Sequence, residues 1–491
     1  MTRVAYNPYL PSWEYTPDCE PHVFGNRVYV YGSHDSARGP RYCVGDYVCW
    51  SAPVDNLKTW TYEGVIYTRW DDPTNTDRLT YAAPDVCQGP DGRFYLYYFY
   101  GMGTSINVAV CDEPAGRYRY LGQVSLPSGE VLGITSGYGN PFDPAVYVEA
   151  GRTWLWWGFS MRASDATGAL VGREIPPTLL QGSFGAELGP DMCTMVGEPV
   201  PFVPGSSTAA GTPFAGHPFL EASSFRKIGG RYYYLYSSAQ GHELCYALCQ
   251  NPWTPPTALG GVVISNGDVG MPGVPTEEDA HYYLGNNHGS IERIAGQDYV
   301  FYHRHTHGVQ YARQDCAEPI AILPDGSIPQ VEVTSCGLNG GPLPAARETP
   351  AHACCHLRSA EGTLHVSSHV HWNEAHPYVG DEDADCVPTG NRGFVANLRD
   401  GAQVGYKYLA FAGEGRVRLE LRGTFAGRVR VLLDAPSGSG AREAGTVDVA
   451  PSAAWTEVSA QLAGPVDGTH AVYFVPEGEG ALDLVAFSFC R

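Results

Sequence analysis

Four acidic side chains in this 491-residue sequence stand at matching places, each just ahead of a short, aromatic-rich hairpin: Asp18, Asp85, Asp143 and Glu221. Singly, each has an ordinary structural explanation, because pairs such as Pro84-Asp85 and Asp143-Pro144 commonly start turns. The repetition argues otherwise. If the hairpins surround a common axis, the residues that lead into them converge. Carboxylates gathered in one water-poor pocket shift each other's pKa values. One can then stay protonated and donate to a leaving oxygen, while another stays ionised and draws a proton from water. A third can raise the acid's pKa and hold it in position. Hydrolysis of a glycosidic bond needs that division of labour.

The elements that must position these groups repeat visibly. A Gly-containing turn leads into a strand of aromatic and branched residues at Gly25–Tyr31, Gly92–Tyr97, Gly151–Trp156, Gly230–Tyr236 and Gly296–Tyr302. The closing aromatics recur about every 65 residues, which predicts five supersecondary units arranged radially. A second short strand precedes each copy, as in Phe142–Val146, and outer-strand signals such as Trp60–Gly64 and Tyr118–Gly122 follow several. The expected fold is therefore all-β, a five-bladed β-propeller over residues 1–340. The pattern fades through Gly337–Pro344, which reads as a linker. Alternating runs at Val417–Leu421, Val429–Leu433, Val472–Val475 and Leu482–Phe487 then predict a β-sandwich over 346–491.

Composition fits this reading. Aromatic residues are 12% of the chain, with 32 Tyr, 59 Gly and 38 Pro, a mixture suited to short strands and tight turns rather than long helices. The net charge is −21, and no basic cluster offers itself to phosphates, so no nucleic-acid partner is expected. No run approaches the roughly 18 apolar residues of a membrane span, so no membrane partner is expected either. The first residues lack the apolar core of a signal peptide. The 14 cysteines are scattered, which favours buried reduced thiols, Cys245 and Cys249 among them, and a cytoplasmic location.

At the carboxylates the sequence resembles glycoside hydrolase family 43. The likeness runs through Asn7–Pro11, Pro17-Asp18, Tyr29–Ser33, Ala83–Val86 and Phe142–Val146. It is strongest at Phe219–Lys227 and closes with Gly285–Ser290 and Tyr302–Arg304, covering about residues 5–340 in order. The resemblance implies Asp18 as general base, Asp143 as the modulator of the acid's pKa and Glu221 as general acid. It also implies that Asp85 lines the sugar pocket, that His288 sits in the channel and that Arg313 contacts substrate. There is one departure: Asp18 is followed by Cys19, Glu20 and Pro21 rather than directly by proline. A shifted register would make Glu20 the base; counting back from Gly25 favours Asp18. No cofactor is expected for catalysis, but the resemblance implies a structural calcium near His288, contacted directly or through water. His303, His305 and His307 share a strand face and could hold a metal, although no matching Cys or Asp cluster follows.

The carboxyl-terminal part resembles a carbohydrate-binding module of family 6 through Gly405–Tyr408 and its closing strands. Tyr408 and Trp455 are either sugar platforms or core, and the domain either binds sugar or braces the propeller. Together these resemblances imply an inverting, exo-acting α-L-arabinofuranosidase, or a β-D-xylosidase, acting on plant-derived oligosaccharides. Two rivals are a non-catalytic sugar-binding propeller and a retaining propeller enzyme acting on fructans.

Overall fold

The computed structural model describes residues 3–37, 39–161, 180–307, 309–363, 376–382 and 392–491. Five small antiparallel sheets follow one another along the chain. The first holds β1 (Glu20–Phe24), β2 (Arg27–Tyr31), β3 (Tyr47–Pro53) and β4 (Thr61–Tyr67) in that spatial order. The second holds β5 (Tyr81–Gln88), β6 (Phe94–Tyr100), β7 (Asn107–Cys111) and β8 (Arg119–Gln123). In the third lie β9 (Ala145–Glu149), β10 (Arg152–Trp157), β11 (Gly182–Leu188) and β12 (Val200–Pro204). The fourth comprises β13 (Phe219–Ile228), β14 (Arg231–Ser238), β15 (Glu243–Cys249) and β16 (Gly261–Ser265). The fifth contains β17 (Ser290–Ile294), β18 (Gln297–His305) and β19 (Arg313–Ile320). Each first hairpin turns on a glycine with positive φ, such as Gly92 at 84° and Gly151 at 75°, where a side chain would be strained.

Packing explains why the second strand of each sheet is so aromatic. Its two faces belong to two different cores. On β6, Phe94, Leu96 and Tyr98 join Tyr31, Tyr47 and Ile66 of the first sheet. Tyr95 and Tyr97, one residue out of phase, join Leu155 and Trp157 of the third. The same happens between the third and fourth sheets, where Trp156 and Phe225 meet, and between the fourth and fifth, where Leu235 and Val300 meet. A fifth cluster joins Val28, Val30 and Trp50 to Phe301 and Ala317, closing the ring. Strands buried on both faces carry apolar residues at every position, and five sheets packed face to face in a closed circle make a five-bladed propeller. The amino-terminal segment seals the joint: Asn7 accepts the Ala317 N–H at 3.0 Å and donates to the Ala317 carbonyl and Glu318 at 2.9 Å.

The remaining strands form one large sheet that folds over its own core as a sandwich. Two long bent strands, Gln403–Gly423 and Ser452–Glu479, run through it, with register breaks between Tyr406 and Leu409 and between Ala412 and Glu414. Such breaks let one strand bend from layer to layer. Its core takes in Tyr282 and Tyr283 from the loop ahead of β17. Lys407, 3% exposed, donates to Asp268 at 3.0 Å and to Glu332 at 2.8 Å. Tyr408 is no free platform: its hydroxyl donates to Glu332 at 2.6 Å. Trp455 packs on Phe394 at 5.5 Å with the Arg422 guanidinium 4.2 Å over its ring. The contacts of Lys407 and Tyr408 join the sandwich to the propeller, whereas those of Trp455 lie within the sandwich. The thirteen cysteines among the described residues are all free, Cys245 and Cys249 included; Cys386 lies outside the described residues.

Candidate active site

The inner strands do not enter the axis straight. Asp18 and Asp143 have φ of 61° and 46°, and Ala83 and Ala222 hold the equivalent kink at 34° and 66°. The register of β5 breaks between Ala82 and Asp85, and that of β13 on both sides of Glu221. Non-glycine residues in this region are strained, and such kinks persist where the surroundings over-determine them; bulges of this kind re-aim side chains. Here they turn Asp18, Asp143 and Glu221 toward one cavity of about 320 Å³ at the mouth of the axis. His288, Arg313, Asn286, Tyr42, Phe99 and Phe142 also line it.

Each carboxylate has a different environment. Arg313 donates to Asp18 Oδ1 at 2.7 Å, and Ser33 donates to Oδ2 at 2.6 Å. Ser33 is itself fixed by the Ala83 N–H at 2.7 Å. Burial opposes the charge on Asp18, but the Arg313 guanidinium, His303 and His288 together outweigh it and hold the carboxyl far below the usual range. Asp35 fixes that guanidinium from behind, at 2.8 Å to Nε and 3.2 Å to Nη2. His303 accepts the Asp18 backbone N–H at Nδ1, 3.3 Å, and faces the Asn286 carbonyl with Nε2 at 2.9 Å. Burial lowers the His303 pKa, so the neutral ring with its proton on Nε2 fits both contacts.

Glu221 has no such cation in direct contact. Burial, opposed by His288 and aided by the charge on Asp18, pushes it up to about 7. Asp143 accepts the Ala222 N–H at 2.8 Å, which ties it to the residue after Glu221. Burial raises its pKa too; His288 opposes this, and the charges of Glu221 and Asp18 add to it. Two acids coupled in this way retain a proton as a pair toward neutral pH. His288 stands among carboxylates, Nδ1 lying 3.6 Å from Asp143 and 3.8 Å from Asp18, and Nε2 3.8 Å from Glu20. Burial disfavours its charge, but Asp143, Glu20 and Asp18 prevail and push it up to about 9.

Two expectations meet a different geometry. Asp85 does not line the cavity. The kink at Ala83 leaves it two residues deeper, fully buried, facing His22 Nε2 at 2.7 Å and accepting the Val146 N–H at 2.8 Å. Glu20 also lies below the cavity, where Arg226 donates to it at 2.5 Å. The cavity wall gains residues that spacing did not mark: Tyr42, whose ring lies 4.6 Å from the Arg313 guanidinium, and the pair Phe99 and Phe142, whose rings lie 4.1 Å apart, tilted at 40°. Asn286 adds a buried side-chain oxygen with no protein partner; the Gly285–Ser290 motif was the signal for it.

A calcium bound directly by His288 does not fit these residues. Calcium takes six to eight oxygens, whereas His288 offers a ring nitrogen and itself lies within 3.8 Å of Asp18, Asp143 and Glu20. Below it, Glu20, His22 and Asp85 lie close enough together to share an ion. Arg226 already stands there, its Nη2 also donating to the Pro21 carbonyl at 3.1 Å and facing His22 Nε2 at 3.2 Å. His303, His305 and His307 form no metal-binding group among the described residues; His307 instead faces Asp381 at 3.0 Å.

Comparison with known proteins agrees with this geometry. Residues 14–328 match the family model described as "Glycosyl hydrolases family 43". The chain is 44% identical to a "Xylosidase/arabinosidase" of Thermoclostridium stercorarium across the whole of both chains. It is 28% identical to "Xylosidase/arabinosidase 43A" of Humicola insolens, over 64% of this chain and 96% of that one. An exo-beta-1,3-galactanase from Phanerochaete chrysosporium, 12% identical, superposes with a TM-score of 0.50 over 99% of this chain and 98% of its own, a likeness of fold. An ordered trio of buried carboxylates at the mouth of a five-bladed ring, together with the family match and the full-length relative, makes this chain a glycoside hydrolase that belongs to glycosyl hydrolases family 43.

Proposed function

We propose that the enzyme releases a terminal pentose from plant-derived oligosaccharides with inversion, α-L-arabinofuranose ahead of β-D-xylose. The observation that carries the proposal is the division of protonation between Asp18 and Glu221. Asp18, held ionised by Arg313, is the general base that activates water. Glu221, pushed up to about 7, is the general acid that protonates the departing oxygen. Asp143 modulates the acid: two buried carboxyls that repel when both ionised raise each other's pKa. Arg313 keeps the base charged, and His288 balances the negative charge of the cluster. A cavity of about 320 Å³ lies at the small end for ligand clefts and suits a single terminal sugar with part of its neighbour. The names of the two relatives support pentosides of both kinds.

Initial rates on aryl α-L-arabinofuranoside and aryl β-D-xyloside test the substrate preference; a faster xyloside reverses it, and inactivity on both removes the pentoside reading. The pH profile on the better substrate tests the roles. Glu221 must carry its proton, so kcat/KM is expected to fall as pH rises through about 7. Asp18 must be ionised and stays so far below the usual carboxylate range, so no acidic limb from it is expected near pH 4. Asp143→Asn removes the repulsion that helps Glu221 keep its proton. It is therefore expected to move the alkaline limb to lower pH, and an unmoved limb contradicts the modulating role.

A further inference from the structure

A second groove lies away from the catalytic cavity. β9 starts at Ala145, two residues after Asp143, and ends at Glu149, which pairs with Arg152 at the start of β10. The groove opens at that far end, between the third and fourth blades. It encloses about 240 Å³ and is lined by Trp154, Trp156, Glu187, Glu198 and Trp253, among others. Trp253, on the loop between β15 and β16, is 53% exposed.

Three features mark this groove as a built site. The Trp154 and Trp253 rings lie 5.9 Å apart at 29°, and the Arg152 guanidinium stands 5.1 Å from each centroid. Glu187 fixes that guanidinium by two hydrogen bonds, at 2.7 and 2.5 Å, so the aromatic surface is held in place before any ligand arrives. Beside it the floor is kept low. A Cβ at Gly185 would meet the Trp156 ring at 2.6 Å, while Gly197 faces open space. Finally, Trp154 is 3% exposed and its indole N–H has no hydrogen-bond partner. A buried donor left unpaired is costly, and a ligand hydroxyl would satisfy it.

We propose that this groove is a second carbohydrate-binding site, which takes one ring of a neutral glycan chain away from the catalytic cavity. The chemistry matches a sugar. The C–H face of a sugar ring carries slight positive charge and packs on the negative face of an indole. Its equatorial hydroxyls can bond to the paired edges of Arg152 and Glu187 and to the Trp154 N–H. A free anion is disfavoured by Glu187 and Glu198 at the wall. The site rests on membership in a glycoside hydrolase family and not on which pentose the catalytic cavity prefers.

The test is native-gel retardation in arabinoxylan, comparing Glu221→Gln protein, in which turnover is suppressed, with Glu221→Gln/Trp253→Ala. The dissociation constant from retardation is expected to weaken at least tenfold in the double variant. Trp253→Ala alone should keep kcat and KM on an aryl pentoside within twofold of the parent, which also shows that it folds. Equal retardation of the two proteins overturns the proposal. So does unchanged retardation accompanied by loss of a dimer in sedimentation, because the occupant would then be a second copy of the chain. Retardation that depends on Trp253 upholds the site even if the enzyme cleaves neither pentoside.

Discussion

Glu221→Gln is expected to lower kcat/KM on an oligosaccharide by about 10³- to 10⁴-fold, the upper part of the range for a positioned proton donor. The alkoxide that leaves an oligosaccharide is strongly basic and needs its proton in the transition state. A 2,4-dinitrophenyl glycoside leaves without that help, so its loss should stay below about 10²-fold. The structure gives the reason for the asymmetry. Asp18 is bonded to Arg313 and Asp143 faces His288 at 3.6 Å, while burial pushes the Glu221 pKa up to about 7. The glutamine keeps the shape of the side chain and removes only its acidic proton. Equal losses on both substrates would mean that Glu221 does not protonate the leaving group.

Asp18→Asn should behave in the opposite way. Every substrate needs an activated water, so the loss should be of order 10⁴-fold whatever the leaving group. Added azide needs no base. It is expected to restore part of the activity on the activated aryl glycoside and to give a glycosyl azide of inverted configuration. Asp35 still holds Arg313 at Nε and Nη2, so the cationic wall should survive the substitution. If Asp18→Asn discriminates among leaving groups while Glu221→Gln does not, the two roles are exchanged.

Much of this was legible in the sequence because propeller packing writes itself into strands. A middle strand sandwiched between two blades must be apolar on both faces, and Phe94–Tyr100 shows that directly. The convergence of Asp18, Asp143 and Glu221 followed from their repeated place ahead of each hairpin. The same rule placed Asp85 in the cavity, and there spacing failed. The equivalent of Asp18 and Asp143 in the second blade is Ala83, because the left-handed kink falls on that residue, and kinks at non-glycine residues leave no mark in composition. Glu20 is the matching case in the first blade: its partner Arg226 comes from β13, about 200 residues later, a pairing that only the closed ring creates. His288 lines the cavity, where its neighbours make it a cation among carboxylates. The groove at Trp154 and Trp253 joins two blades and has no motif of its own.

A single displacement by water, with Asp18 as base and Glu221 as acid, inverts the anomeric configuration. Proton NMR of the first product formed tests it most directly. An aryl α-L-arabinofuranoside, or a β-D-xyloside if that is the better substrate, is hydrolysed fast enough to outrun mutarotation, and the new anomeric signal is followed from the first minutes. The expected first product is β-L-arabinofuranose from the first substrate, or α-D-xylose from the second, with the other anomer growing in later. Initial appearance of the anomer that matches the substrate would show retention through a covalent intermediate and would contradict the roles assigned to Asp18 and Glu221.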